Sequence, residues 1–189
     1  KGINIIDSIY NDVNQLKAYK GFLRKTNKIK YDAIGVSYIQ NANIIRKIKI
    51  LYPDKIIVSK IENKLGLKNI NKICEYSDVI MIDRGDLSAE INENNLFKAI
   101  LEISKTTKSY GIPLIMATEN LDSMNSYLAP KKNEIISMAI NNILNVDKIM
   151  LSDETATSKN WLNNIKWLSS FSKSQNLNEK NIFFENTEI

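Results

Sequence analysis

Residues Lys55–Glu90 read KIIVSKIENKLGLKNINKICEYSDVIMIDRGDLSAE, and the pattern is strand, helix, strand. The first strand covers Lys55 to Glu62 and ends in Lys60-Ile61-Glu62. Side chains alternate along a strand, so Lys60 and Glu62 share a face and Ile61 points away. The second strand, Val79 to Asp83, ends in Arg84-Gly85-Asp86. Between the two, Leu65, Ile70, Ile73 and Cys74 suit the apolar side of a short crossover helix. A strand–helix–strand unit makes its strands parallel neighbours with both C-terminal ends at one edge. Lys60, Glu62 and Asp86 are therefore expected to converge. Two carboxylates and an ammonium at one edge suit a hard divalent cation and an anionic ligand.

Composition narrows the remaining options. The chain has 189 residues, 43% of them hydrophobic, enough for one domain with a substantial core. Neither a membrane-length apolar run nor a signal-peptide pattern is present. With one cysteine, Cys74, no internal disulfide can form, and a reducing, cytoplasmic setting is expected. The net charge of +5 does not argue for nucleic acid, because the lysines are scattered among acids and asparagines with no aromatic-interleaved stripe. The absence of histidine excludes Ser-His-Asp triads, Cys-His dyads and His-ligated zinc. Acid–base work then falls to Lys, Asp, Glu, Tyr or water.

Outward from the central unit, helices and strands alternate. Helices are expected over Asp12–Phe22, Asn43–Leu51 (ended by Pro53), Asn95–Tyr110 (ended by Gly111-Ile-Pro113), Asn133–Leu144 and Trp161–Phe171. Further strands are expected over Tyr31–Tyr38, Pro113–Ala117 and Asp147–Leu151, with a loop and a helical turn over Leu121–Pro130. Trp161, Leu162, Ile165 and Leu168 are expected to pack inward. Short apolar strands alternating with helices give an α/β fold with a parallel sheet. The repeat suits a (β/α)8 TIM barrel, of which five strands are visible. Residues 1–171 are assigned to the barrel segment, and 172–189 to a polar tail or the start of a further domain.

Three blocks carry a resemblance. Ser59-Lys-Ile-Glu-Asn63 followed by Ile80-Met-Ile-Asp-Arg-Gly-Asp-Leu87 resembles the central signature of the pyruvate kinase family. Met116-Ala-Thr-Glu-Asn-Leu-Asp-Ser-Met124 and Ile149-Met-Leu-Ser-Asp-Glu-Thr-Ala156 resemble two further blocks of that family in order and spacing. Lys1-Gly-Ile-Asn4 is similar to the point where family members return from the lid domain to the barrel. Ser37 falls on the family's serine. The opening Lys1 is read as that of a fragment. The family's first three barrel strands, lid domain and C-terminal domain have no counterpart in the sequence. Whether the missing strands come from another chain, or the chain is a piece, or the fold has adapted stays open.

The resemblance implies phosphoryl transfer from phosphoenolpyruvate to ADP, giving pyruvate and ATP, the last step of glycolysis. On it, Glu62 and Asp86 would ligate Mg2+ or Mn2+, and Lys60 would stabilise the transferring group. Gly85 and Asp86 would bind the substrate carboxylate through helix N-terminal amides. Thr118 would bind substrate and assist protonation of the enolate. The family also uses K+, whose contacts lie in the absent strands. A homo-oligomer, or completion by those strands, is the expected assembly, with no nucleic-acid or membrane partner. Arg84, Ser37 and Glu154 are weaker candidates that could serve only to shape the site.

Departures from the family pattern gather near the expected mouth of the site. Asp83 stands where the family usually has Ala, and its charge is expected to weaken anion binding. Glu119 replaces Gln, Asp153 and Ser88 replace Gly, and Lys131-Lys-Asn-Glu134 stands for Thr-Arg-Ala-Glu. These changes motivate a rival reading, a non-catalytic homologue kept as a structural or regulatory subunit. A second rival is a metal-dependent pyruvate aldolase or lyase of the citrate lyase type. Lys60 and the two later blocks favour the kinase.

Overall fold

A computed structural model of the chain describes residues 6–26 and 28–174. The expectations for Lys1–Asn4 and for the stretch after residue 174 lie outside the described residues. The chain divides into two compact units, one ending at Ile115 and the other starting at Met116.

The first unit opens with helix α1 (Asp12–Lys25), strand β1 (Ala33–Val36), helix α2 (Ala42–Leu51) and strand β2 (Ile56–Ile61). Helices α3 (Lys64–Lys68) and α4 (Ile70–Tyr76) lead to strand β3 (Val79–Asp83), and helices α5 (Arg84–Ile91) and α6 (Glu93–Tyr110) follow. β1 and β2 are parallel neighbours with Gly35 opposite Val58, and β2 and β3 are parallel with Lys60 opposite Met81. Strand β4 (Leu114–Ala117) lies next in the sheet, where the Ile80 N–H donates to Pro113 O at 3.0 Å. The apolar residues at helical spacing on α2, Ile44, Ile45 and Ile48, are buried, as are Ile57, Ile61, Ile80 and Ile82 of the strands. Burial on this scale contributes about 1.5–3 kcal/mol per side chain and is the main force holding helices to sheet.

Asparagine side chains cap α1, α2, α3 and α6. Asn11 accepts from the Val13 and Asn14 N–H groups, Asn41 from Asn43, Asn63 from Gly66 and Asn92 from Asn94. An N-cap acceptor satisfies donors that the helix itself cannot. The expected single crossover helix is divided because Asn69 ends α3 and starts α4, with its side chain donating to Gln40 O at 2.7 Å. Gly66 carries α3 close to the preceding loop; a Cβ there would stand 2.5 Å from Ile39 O. Gly111, at φ 65°, closes α6 in the left-handed conformation that glycine adopts at low cost.

The second unit contains the rest of β4, a 3-10 turn (Asp122–Asn125), helix α7 (Lys132–Ile143), strand β5 (Lys148–Met150), helix α8 (Asp153–Thr157) and helix α9 (Trp161–Ser174). β5 is the neighbour of β4. The five strands are parallel and the class is α/β, as the alternation predicts. Leu121, Met124 and Met138 form a buried cluster against which Ile149, Leu151, Trp167, Leu168 and Phe171 pack. Trp167 and Phe171 stack with ring centroids 5.0 Å apart.

One helix faces differently from the sequence expectation, and two others bury residues that apolar character alone does not single out. On α9, Trp161, Leu162 and Ile165 are exposed, and the inward face is Asn164 with Trp167, Leu168 and Phe171. On α7, Ile136 is exposed while Met138 and Asn141 are buried, and on α1 Val13 is exposed while Leu23 is buried. Each helix is apolar on more than one side, so periodicity alone does not select the inward face. No helix among the described residues is long and apolar enough to cross a membrane.

Candidate functional site

The site of the first unit is built where β2 and β3 end. Ile61 lies opposite Ile82, and the next residue on each strand is a carboxylate, Glu62 and Asp83. Both are buried, each 1% exposed. Lys60, alternating onto the same side as Glu62, places its Nζ 2.6 Å from Glu62 Oε1 and 3.2 Å from Asp83 Oδ2. The chain turns directly from β3 into α5, whose first turn carries Asp86. An acidic residue there is favoured by the helix dipole. One carboxylate oxygen from each of Glu62, Asp83 and Asp86 falls within 4.8 Å of the others.

Neighbouring backbone completes the arrangement. The Tyr38 N–H donates to Glu62 Oε2 at 2.5 Å. Tyr38 adopts φ 53°, a left-handed conformation that costs a non-glycine residue on the order of 1 kcal/mol or more and that surrounding contacts must hold. Those contacts are visible. Tyr38 stacks on Tyr10 at 5.4 Å, and the preceding Ser37 has its N–H bound by Tyr19 Oη at 2.7 Å and its carbonyl by Gln15 Nε2 at 2.9 Å. This turn ends β1 at Val36 rather than at Tyr38. Ser37 thus takes part through its backbone.

The electrostatics follow from burial and proximity. Burial acts to lower the Lys60 pKa, but Glu62 and Asp83 outweigh it and raise it, so the ammonium is retained. Burial pushes Glu62 above the usual carboxylate value, against the opposing pull of Lys60 and the Tyr38 N–H. Burial and the negative charges of Asp86 and Glu62 push the Tyr38 phenol up to about 12. Carboxylates held this close repel one another unless a cation stands among them. An all-oxygen set of carboxylates, without thiolate or imidazole, matches hard divalent cations such as Mg2+ and Mn2+. The residues present fit such an ion.

Lys60, Glu62 and Asp86, expected to converge, do so. Asp83 joins them, although the sequence pointed to it only as a departure beside the anion. Its signal was the strand register, which puts it one step beyond Ile82 and beside Glu62. Tyr38 was not singled out, since a backbone donor leaves no mark in residue type. Arg84 is buried, and Ser88 Oγ donates to Gly85 O at 3.0 Å within the first turns of α5.

In the second unit, Thr118 ends β4 at φ 61° with its hydroxyl donating to Ala117 O at 2.7 Å. Glu119, Asp153 and Glu154 are exposed. Glu134 accepts from the Ser123 N–H and the Lys131 N–H at 2.9 and 2.8 Å, a role in starting α7.

Comparison with known proteins agrees with this picture. Residues 1–165 match the family model described as pyruvate kinase, barrel domain. The chain is 37% identical over 160 residues to a pyruvate kinase of Borreliella burgdorferi, covering 82% of this chain and 33% of that protein. It is 32% identical over 180 residues to a pyruvate kinase of Methanocaldococcus jannaschii, covering 91% of this chain and 39% of the relative. A crystal structure of pyruvate kinase from Pyrobaculum aerophilum superposes with a TM-score of 0.77 at 26% identity, over 89% of this chain and 38% of that one. The chain therefore spans between a third and two fifths of these relatives. By sequence and by fold, it belongs to the pyruvate kinase family and corresponds to part of its barrel domain.

Proposed function

We propose that this chain carries the cation-binding and phosphoryl-transfer side of a pyruvate kinase site, acting on phosphoenolpyruvate and ADP to give pyruvate and ATP. The observation that supports this best is the meeting of Lys60 with Glu62 at 2.6 Å, beside Asp86, at the shared end of two parallel strands. Glu62 and Asp86 would hold Mg2+ or Mn2+. A cation there supplies compensation for the negative charge that develops on the substrate oxygens.

Phosphoryl transfer asks the protein mainly for positioning and cationic stabilisation. Lys60 serves that need. Its ammonium is retained, sits 17% exposed, and can swing from the carboxylates towards a phosphoryl group. The Tyr38 N–H fixes Glu62 by its second oxygen, leaving the first for Lys60 or the cation. Amides at the start of α5, around Gly85 and Asp86, are suited to the substrate carboxylate. Thr118 is carried over from the family pattern as the residue that would assist protonation of the enolate, its hydroxyl taking a proton from water as it gives one up.

The test is calorimetric titration of oxalate, a mimic of enolpyruvate, with and without Mg2+, using Glu62→Gln as control. Cation-dependent binding that Glu62→Gln abolishes is the expected result. A folded chain that binds no oxalate in the presence of Mg2+ would overturn the reading.

A further inference from the structure

Asp83 distinguishes this site from one built on Glu62 and Asp86 alone. It is 1% exposed, sits at the end of a central strand, and contributes an oxygen within 4.8 Å of those of Glu62 and Asp86. It also shares the Lys60 ammonium with Glu62. A bystander carboxylate at a strand end would turn to solvent, whereas this one is directed into the cluster. We propose that Asp83 is a third carboxylate of the divalent-cation seat, one that lets the cation bind tightly before any anion arrives and weakens the anion that follows.

The charge balance gives the argument its direction. Asp83 adds one negative charge to a seat that already carries the carboxylates of Glu62 and Asp86. That charge strengthens the hold on a divalent cation and opposes an anion approaching the loaded seat. At separations near 5 Å, even with substantial screening, one charge changes affinity for a divalent ion by about tenfold or more, and for a monoanion by less. Lys60 is the internal competitor. Its ammonium occupies the same carboxylates, so an incoming cation must displace it from Glu62 and Asp83.

This inference rests on the cation reading above, and Mn2+ alone, without oxalate, tests it first. Free Mn2+ is followed by its paramagnetic resonance signal against the full chain and its Asp83→Asn, Asp83→Ala and Glu62→Gln variants, with circular dichroism confirming that each is folded. Both Asp83 variants are expected to weaken Mn2+ about tenfold or more. They should also bind oxalate severalfold more tightly once saturated with Mn2+. In a Lys60→Met background Asp83→Asn should still weaken Mn2+, which separates a ligand from a residue that merely positions Lys60. Unchanged Mn2+ affinity in the Asp83 variants, with Glu62→Gln abolishing binding, would overturn the proposal and leave the two-carboxylate reading intact. Loss of the Asp83 effect in the Lys60→Met background would overturn it in favour of positioning. A folded parent chain that binds no Mn2+ would overturn both readings together.

Discussion

The backbone N–H of Tyr38 donates to Glu62 Oε2 while Lys60 holds Glu62 Oε1, so both oxygens of a carboxylate 1% exposed are occupied by donors from two different strand ends. Removing that carboxylate takes one partner from the half-buried Lys60 ammonium, which keeps Asp83, and leaves the half-buried Tyr38 amide without its acceptor. Glu62→Ala is expected to cost about 3–5 kcal/mol, the range for breaking one side of a buried pair. Glu62→Gln keeps a carbonyl for Tyr38 and should cost less, about 1–3 kcal/mol. Urea unfolding followed by far-UV circular dichroism reads both. Equal, small losses for the two variants would show that the pair is not buried as described.

Lys60 places its ammonium on Glu62 and Asp83. Lys60→Met removes that charge while Glu62, Asp83 and Asp86 keep oxygens within 4.8 Å of one another. The variant should be less stable in chelator by about 3 kcal/mol or more. Added Mn2+ should recover most of that loss, because a ligand that binds only the folded state stabilises it by mass action. Thermal melts with and without Mn2+ give the comparison. A melting shift on adding Mn2+ that is smaller in Lys60→Met than in the parent would contradict the idea that ammonium and metal compete for one seat.

Two glycines give opposite expectations. A Cβ at Gly66 would lie 2.5 Å from the Ile39 carbonyl oxygen, a backbone atom that cannot swing aside, whereas nothing lies within 4 Å of a Cβ at Gly21. Gly66→Ala should therefore destabilise by about 1–3 kcal/mol. Gly21→Ala, inside α1, should stabilise by about 0.5–1 kcal/mol through helix propensity. Chemical denaturation of the two single variants decides both signs.

Strand order and site position were legible in the sequence because both depend on local periodicity and on the handedness of crossovers. Lys60, Glu62 and Asp86 needed only alternation along β2 and the parallel rule. Asp83 was in plain view but its direction was not. Whether a strand-end carboxylate points into a cluster or towards water depends on register with its neighbour. Helix faces were the least legible part. α7 and α9 carry isoleucine, leucine and tryptophan on more than one side, and tertiary packing chose Met138 and Trp167 over Ile136 and Trp161. The left-handed turn at Tyr38 was hidden for a different reason. Long-range hydrogen bonds, from Gln15 Nε2 to the Ser37 carbonyl and from the Ser37 N–H to Tyr19 Oη, hold it, and no rule of spacing reports those.

Glu134 offers a pH test independent of the cation site. Burial acts to raise its pKa, but the Ser123 hydroxyl and N–H and the Lys131 N–H outweigh this and lower it from the usual 4.5. A carboxyl whose folded value is depressed adds stability above the unfolded value and loses it as pH falls through the folded value. Glu134 should thus support the start of α7 at neutral pH, and its contribution should fade on acidification below about 4.5. Glu134→Gln and Ser123→Ala are each expected to cost about 1 kcal/mol near pH 7, the usual value of a helix-start acceptor. For Glu134→Gln the difference from the parent should shrink as pH falls below that value. The two tryptophans of the chain, Trp161 and Trp167, both belong to α9 of the second unit, so their fluorescence during urea unfolding reports the unit that contains Glu134. A Glu134→Gln deficit that stayed constant from pH 7 to pH 3 would show that the carboxylate charge contributes nothing to capping α7.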